Sequence, residues 1–303
     1  MLSGDTGQHA SVVRGDALRI LEQHSNFKSG QLTSIRRQRK AEYRKAVELA
    51  AQKRTGEAFA QLERIGAIIE SSNDDLHGKA AQAYLKALMQ NQSALLVAPT
   101  WNEIQAVTEK VRDALKASSR LVGEEKEFQV FDSLSWTEAQ KRDARQYRPG
   151  MAMRFHRNGN GFRKDETVIV VSAEAGSIRV QRDDGLEIPF LLGAGRACFD
   201  VGERRALSIA AGDRLLLQAN AGRKRFINGE LVEVQAIQGD SILLADGRQI
   251  PAGYRTFTHG YAVTSHAAQG KTVDEVLVVA SSRSLPAVHR QQFYVSISRG
   301  REQ

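Results

Sequence analysis

From residue 67 to residue 116, the pattern of apolar and polar positions predicts strands and helices in alternation. Residues 67–70 and 94–98 are short apolar runs typical of buried strands, whereas residues 76–89 and 101–116 repeat apolar side chains at helical spacing. Strand and helix in alternation predict a parallel sheet. Because ligands of such sheets bind at the carboxyl ends of the strands, residues 99–100 are placed where a ligand would lie.

The pattern changes after residue 131. Residues 137–147 are polar and helix-like, and residues 150–251 consist of short β-type runs separated by Gly, Asn and Asp. Beyond them, residues 260–264, 276–280 and 293–297 are apolar runs that we expect to be further strands of the first sheet. The simplest architecture that accounts for this pattern is an α/β domain with a parallel sheet, interrupted by a β insertion.

The β insertion contains an internal repeat. Three stretches match at an offset of 62 or 64 residues, and the matched pairs are 150–155 with 212–217, 166–168 with 230–232, and 184–189 with 246–251. We therefore expect two small β units of one design, each with a strand that begins just after Gly150 or Gly212 and each ending near its Ile-Pro pair.

Before the first sheet, two further helices are predicted. Residues 12–21 have the spacing of one short helix, and residues 36–54 combine eight Lys and Arg side chains with a buried stripe of Ala41, Ala46, Val47, Leu49 and Ala50. A basic helix face of this kind is as often simply solvated as it is bound to phosphates. Both interpretations stay open at this point.

Composition narrows the choice of partner and compartment. The chain has 303 residues, a net charge of +8 and a pI near 9.7, so polyanions, nucleic acid first among them, are the expected partners. Cys198 is the only cysteine, which excludes a disulfide framework within one chain. No stretch is apolar enough to span a membrane and the start lacks a secretory signal, so we expect a cytoplasmic protein.

Four segments carry a resemblance to a known family. Gly-Tyr-Ala-Val-Thr-Ser-His-Ala-Ala-Gln-Gly-Lys-Thr at residues 260–272 resembles motif V of superfamily 1 helicases, and Tyr-Val-Ser-Ile-Ser-Arg-Gly-Arg-Glu at residues 294–302 resembles motif VI. Gly-Asp-Thr-Gly-Gln-His at residues 4–9 resembles motif III, and Leu-Thr-Ser-Ile-Arg-Arg-Gln at residues 32–38 resembles motif IV. The chain is most similar to the RecD-like branch, in particular to the helicase part of MobF-type conjugative relaxase–helicases.

This resemblance implies a domain organisation. Residues 1–30 would be a remnant of the first RecA-like domain, and residues 31–135 with 253–303 would form the second RecA-like domain, called 2A. Residues 136–252 would be the inserted 2B domain, an SH3-like β-barrel insertion that the repeat divides into two related units.

The resemblance also implies catalytic roles. Arg299 would be the motif VI arginine finger, Arg37 the motif IV arginine, and Gln8 the γ-phosphate sensor that reports hydrolysis to the DNA site. Arginine suits these positions because its planar fork engages two phosphate oxygens at once. A surface or capping role is the alternative for each, and Arg36, Arg39 and Arg301 stand close enough to shift the assignment by a residue or two.

Two groups of residues are predicted to bind single-stranded DNA. The first is a donor-rich set at strand ends: Thr100, Thr264, Ser265, His266, Gln269, Gly270 and Thr272. The second is the basic segment Arg223, Lys224, Arg225 and Phe226, a strand clamp by charge and stacking. The alternatives are a packed histidine at a helix start for His266, and a solvated loop with Phe226 in a minor core.

Walker motifs are not among these residues. Gly270-Lys271-Thr272 ends like a phosphate-binding loop, but that loop would need glycine where Ser265 stands. The chain alone is therefore expected to be inactive as an ATPase and to bind no cofactor tightly, with ATP and magnesium belonging to the complete protein, and no metal ligands are assigned here. The expected partners are single-stranded DNA and the missing amino-terminal half or conjugation machinery, and the RecD-like resemblance suggests 5′ to 3′ translocation.

Two other functions compete with this one. The chain could be a DNA-binding or partner-docking module without motor activity. It could also be an SH3-like adaptor, but an aromatic content of 6% argues against a groove lined with aromatic rings.

Overall fold

A computed structural model describes residues 5, 8–9, 17–26, 30, 34–174, 176–193, 197–221 and 225–303 of the chain. Contacts divide the chain into two compact units, Met1–Arg120 with Tyr261–Gln303, and Leu121–Gly260. The second unit is therefore inserted into the sequence of the first.

Helices and strands follow one another along the described residues. The helices are α1 Ala17–His24, α2 Ala41–Ala51, α3 Thr55–Arg64, α4 Asn73–Met89, α5 Trp101–Ala117, α6 Glu138–Arg142, α7 Ser265–Ala268 and α8 Arg290–Ile297. The strands are β1 Ala94–Val97, β2 Val122–Ser133, β3 Ala152–Phe155, β4 Thr167–Glu174, β5 Ser177–Gln181, β6 Glu187–Leu191, β7 Phe199–Ala211, β8 Arg214–Leu217, β9 Leu231–Gln238, β10 Ser241–Leu244, β11 Gln249–Ile250, β12 Phe257–His259, β13 Ala262–Val263 and β14 Glu275–Val278. Two 3-10 turns, Ala144–Gln146 and Leu285–Ala287, complete them.

The first unit contains a parallel sheet with β1 at its centre. β1 pairs in parallel with β13 on one side and with β14 on the other, so Leu96 lies beside both Ala262 and Leu277. All residues of β1 are buried, which explains its unbroken apolar run. The predicted α/β class with a parallel sheet is confirmed, and the carboxyl ends of three strands meet at one edge.

Helices α4 and α5 flank β1 in sequence, as predicted. Ser72 caps α4 and Thr100 caps α5, each accepting a hydrogen bond from the third helical residue. The inner face of α5 buries Ile104, Val107, Val111 and Leu115 at helical spacing.

Two predicted strands of the first sheet are wrong. Residues 67–70 have no regular structure: Ala67 and Ile68 pack against a hydrophobic cluster, while Ile69 is exposed. Residues 293–297 lie in α8, because the His289–Gln292 capping box starts a helix that outweighs the strand preference of Phe, Tyr, Val and Ile.

The basic segment forms a shorter helix than predicted. α2 buries Tyr43, Ala46, Val47 and Ala50 against α3 and α8, and its basic side chains lie outside that face. The helix ends where Lys53 adopts a φ of 67°. Of the predicted stripe, Leu49 is half-buried and Ala41 is exposed.

The second unit is built from two sheets. Their strand orders are β2-β7-β3-β4-β5-β6 and β11-β10-β9-β8-β12. Strand β2 is antiparallel to the long strand β7, and β12 is antiparallel to β8. The residues from Val122 to Ser133 therefore pair within this unit, although the sequence had placed them in residues 31–135.

The strands of the two predicted repeats share one arrangement. Strands β3 to β6 and β8 to β11 are consecutive antiparallel meanders, and β7 pairs with β3 as β12 pairs with β8. Gly150 has a φ of 90° and its N–H donates to Val170, while Gly212 has a φ of 92° and its N–H donates to Val234. The first strand of each meander begins two residues after that glycine, as the repeat predicts, because only glycine adopts this left-handed turn without strain.

Within the described residues, no helix combines the length and the apolarity that a membrane span requires. The same residues hold no group of three or more His, Cys, Asp or Glu side chains arranged for a metal ion.

Candidate functional site

The carboxyl edge of the parallel sheet brings two predicted DNA-binding segments side by side. β1 and β13 are in register at Val97 and Val263, and each runs into a threonine that caps a helix. Thr100 Oγ1 accepts a hydrogen bond from the N–H of Glu103 (3.3 Å), and Thr264 Oγ1 accepts one from the N–H of Ala267 (3.2 Å). The helix starts therefore present their polar groups at one edge.

Most of the predicted DNA-binding residues of motif V are accessible. His266, Gln269, Gly270 and Thr272 are exposed and Thr264 is half-buried. Gly270 has a φ of 84°, which turns the chain sharply after α7. Ser265 is buried, so it can act on a bound strand only through its neighbours.

Arg299, the predicted arginine finger, is almost completely buried. It lies in the turn after α8, with 2% of its surface exposed, rather than at a strand end as expected. Its Nε donates to the carbonyl of Val295 (2.9 Å), and its Nη2 donates to Ser298 Oγ (2.6 Å). Burial and then the nearby Arg37 lower the pKa of Arg299 to about 10, so the side chain stays cationic at neutral pH.

Residues of motif IV donate hydrogen bonds to backbone carbonyls of motif VI. Arg37 Nη1 donates to the carbonyl of Ser298 (2.6 Å), and Gln38 Nε2 donates to the carbonyl of Gly300 (2.8 Å). The N–H of Arg39 donates to the carbonyl of Arg301 (2.8 Å). Gln38 thus has a part that the motif resemblance did not assign, and its place at the end of motif IV was the available signal.

Motif III contacts both motif V and motif VI. Gln8 Nε2 donates to Asp5 Oδ2 (2.9 Å), and Gln269 Nε2 donates to Gln8 Oε1 (3.2 Å). The hydroxyl of Tyr294 donates to Asp5 Oδ2 (3.1 Å). The predicted sensor Gln8 thus touches the predicted DNA segment directly.

His9, which the sequence analysis also missed, joins the same cluster. Its ring stacks on that of His266 with centroids 3.6 Å apart and an interplanar angle of 15°. Its Nε2 lies 2.9 Å from Ser265 Oγ. Burial, then His266 and Arg299, lower the pKa of His9 to about 4, so the ring is neutral at pH 7. Its position next to Gln8 was the only signal in the sequence.

The basic segment of the second unit differs from the predicted clamp. Arg223 and Lys224 lie outside the described residues, and Arg225 is exposed. Phe226 is 3% exposed and packs against Tyr254, with ring centroids 5.3 Å apart. A ring buried in this hydrophobic core cannot stack on a nucleotide base, so the clamp role expected for Phe226 is not available.

Sequence comparisons connect the chain with two groups of proteins. Residues 1–73 match an AAA domain family. The chain is 35% identical over 109 residues to the conjugal transfer protein TraA of Rhizobium radiobacter, a match that covers 33% of this chain and 9% of TraA.

Comparison with solved structures finds Pif1 helicases. The Bacteroides Pif1 in complex with ADP-AlF3 and ssDNA is 17% identical with a TM-score of 0.31, and the match covers 93% of this chain and 52% of that one. The Candida albicans Pif1 is 11% identical with a TM-score of 0.29, covering 88% and 52%. The chain spans about half the length of these helicases, and scores this low do not establish a shared overall structure. Together with the four ordered motifs, the two sequence matches relate the chain to superfamily 1 helicases and to conjugal transfer proteins.

Proposed function

We propose that this chain is the carboxy-terminal motor half of an ATP-dependent translocase or helicase that moves on single-stranded DNA, as part of a conjugative relaxase. The observation that carries the proposal is the cluster in which Gln8 and His9 contact Gln269, Ser265 and His266. A nucleotide sensor that touches the DNA segment is what a motor needs to couple hydrolysis to movement.

In this proposal, Arg37 and Arg299 act on the γ-phosphate of ATP. Phosphoryl transfer spreads negative charge over the equatorial oxygens, and fixed cations stabilise that charge. The donor set fits a phosphate, because it consists of two guanidinium groups and the amide of Gln8 at one junction. ATP and magnesium would be held by the first motor domain of the complete protein, and ATP supplies the phosphoryl group whose transfer drives movement.

Arg299 needs a change of surroundings to reach a phosphate. Its guanidinium is tied to Val295 and Ser298 and is nearly inaccessible. Closure of two motor domains on ATP would have to exchange the bond to Ser298 for bonds to phosphate oxygens. The bond to Ser298 ends on a neutral hydroxyl, whereas a phosphate is an anion that the guanidinium can engage with two parallel bonds, which favours the exchange.

The domain assignment belongs to the same proposal. Residues 1–30 would be the remnant of the first RecA-like domain, and the unit with the parallel sheet would be the 2A domain. The inserted β unit would be the 2B domain, with two related SH3-like halves. The shared strand order and the paired glycines Gly150 and Gly212 support the division into halves.

The DNA-binding half of the proposal is tested by affinity and its salt dependence. This chain should bind a fluorescent dT oligonucleotide without preference for sequence. The logarithm of the affinity should fall linearly with the logarithm of salt concentration, because neutralised phosphates release counterions. Absence of binding at low salt, or equal affinity at low and high salt, would contradict the proposal.

A further inference from the structure

Trp101 is the largest side chain at the carboxyl edge of the sheet, and 58% of it is exposed. It is the first residue of α5, directly after the capping residue Thr100. The cap and the buried residues Ile104 and Val107 fix the start of this helix. Trp101 is therefore presented from a rigid position, not from a loop.

Its exposure sets Trp101 apart from the other tryptophan of the chain. Among the described residues, Trp101 makes no ring contact. The other tryptophan of the chain, Trp136, packs against Tyr147 with ring centroids 5.0 Å apart and belongs to a hydrophobic core. A single exposed aromatic side chain is common on protein surfaces, so its surroundings decide whether it marks a binding site.

The residues around Trp101 indicate which kind of molecule would bind there. β1 is the central strand, so the segment after it lies between the end of β13, where motif V begins, and the end of β14. The loop after β14 is attached to the first turn of α5, since Ser281 Oγ donates to Glu103 Oε2 (3.0 Å). This loop carries the exposed Arg283 and Leu285. Trp101 thus has hydroxyl, amide and imidazole groups on one side and a loop bearing a cation on the other.

An aromatic ring flanked by neutral and cationic donors is the pattern of a single-strand binder. The donors bind backbone phosphates, and the ring stacks on a base, which every nucleotide offers. A protein partner would instead require a broad apolar surface, whereas the exposed residues near Trp101 and Leu285 in sequence include the polar Asn102, Ser282 and Arg283.

We propose that Trp101 is a base-stacking residue for single-stranded DNA, seated between motif V and the loop after β14. This inference rests on the proposed function and extends it to a residue that none of the four motifs contains. Alanine at a stacking position lowers single-strand affinity by about 5- to 100-fold. Phenylalanine keeps a ring and should retain most of the affinity.

The experiment uses the intrinsic fluorescence of the indole. In a Trp136→Phe variant of this chain, Trp101 is the only tryptophan, and binding of a dT oligonucleotide should quench its emission. Affinity is measured in parallel by anisotropy of a labelled oligonucleotide, for the parent chain and for Trp101→Ala and Trp101→Phe. Phe59→Ala is the matched control, because Phe59 is 50% exposed on α3 and is not part of this edge.

An abasic oligonucleotide of equal length separates stacking from phosphate contacts. The proposal predicts that Trp101→Ala weakens binding of dT by about 5- to 100-fold, that it leaves the abasic strand unaffected, and that Phe59→Ala changes neither. Unquenched emission on binding, together with equal affinity of Trp101→Ala and parent for dT, would overturn this inference alone. Failure of every variant and the parent to bind DNA at low salt would overturn the proposed function instead.

Discussion

The ring of His9 stacks face to face on the ring of His266, 3.6 Å between centroids. His9 follows the predicted sensor Gln8, and His266 stands at the start of the motif V helix. Two imidazoles stack most favourably when neither is charged, and burial keeps the pKa of His9 low. The pair joins the segment of the nucleotide sensor to the DNA segment by a contact that depends on protonation.

A lower pH should weaken the contact between His9 and His266. The pKa of His9 falls from an ordinary value of 6.5 to about 4 in the folded chain, so below pH 6.5 the unfolded state takes up a proton that the folded state does not. The contribution of His9 to stability is present above pH 6.5 and is lost as the pH falls toward 4. Urea unfolding at pH 7 and pH 5 should show a smaller loss of stability in His9→Gln than in the parent. Equal losses in both would show that His9 is not held neutral.

Arg299 should be required for hydrolysis and not for DNA binding. In the intact parent protein, Arg299→Ala should reduce DNA-stimulated ATPase by about 10³- to 10⁵-fold, and Arg299→Lys should not restore it, because a point charge cannot replace the bidentate fork. DNA affinity without nucleotide should change little.

The control for Arg299 is Arg64→Ala. Arg64 on α3 forms an exposed ion pair with Glu42 on α2 (3.2 Å), outside the four motifs, and such pairs contribute little. ATPase of Arg299→Ala within a few-fold of the parent would make Arg299 structural. Arg301, which lies 3.5 Å from Asp274, would then be the arginine to test.

Gly202 should be irreplaceable in the pairing of β2 with β7. A Cβ at this position would lie 2.3 Å from the carbonyl oxygen of Asp132 and 2.7 Å from the ring of Phe131. Gly202→Ala should therefore destabilise the second unit by about 1–3 kcal/mol, which thermal unfolding measures. Gly193→Ala is the control, since nothing lies within 4 Å of its Cβ, and an equal melting temperature for parent and Gly202→Ala would refute the prediction.

The sequence predicts β1, α4 and α5 well because their burial is one-sided or complete and their caps, Ser72 and Thr100, are local signals. It mispredicts residues 293–297, where a capping box and contacts with α2 override β-branched composition. The repeat can be detected in the sequence because both turns need a residue with positive φ, and glycine occupies that position in each, at Gly150 and Gly212.

The site residues are less predictable because their contacts are distant in sequence. The hydrogen bond from Gln269 to Gln8 spans 261 residues, and that from Arg37 to Ser298 also spans 261. A motif marks Arg299 but does not reveal that its side chain is buried. His9 closes the motif III segment without an assigned role, and Trp101 belongs to no motif. The part of each follows only from a stacking distance and from an exposed fraction.

The central claim is that this chain holds the sensor and arginine half of a motor, whose nucleotide site is completed by another domain. The measurement that tests it most directly is ATP hydrolysis by this chain, with and without single-stranded DNA, under conditions in which anisotropy shows the DNA to be bound. The account predicts salt-sensitive DNA binding with no hydrolysis above the buffer blank. DNA-stimulated turnover by this chain alone would contradict it.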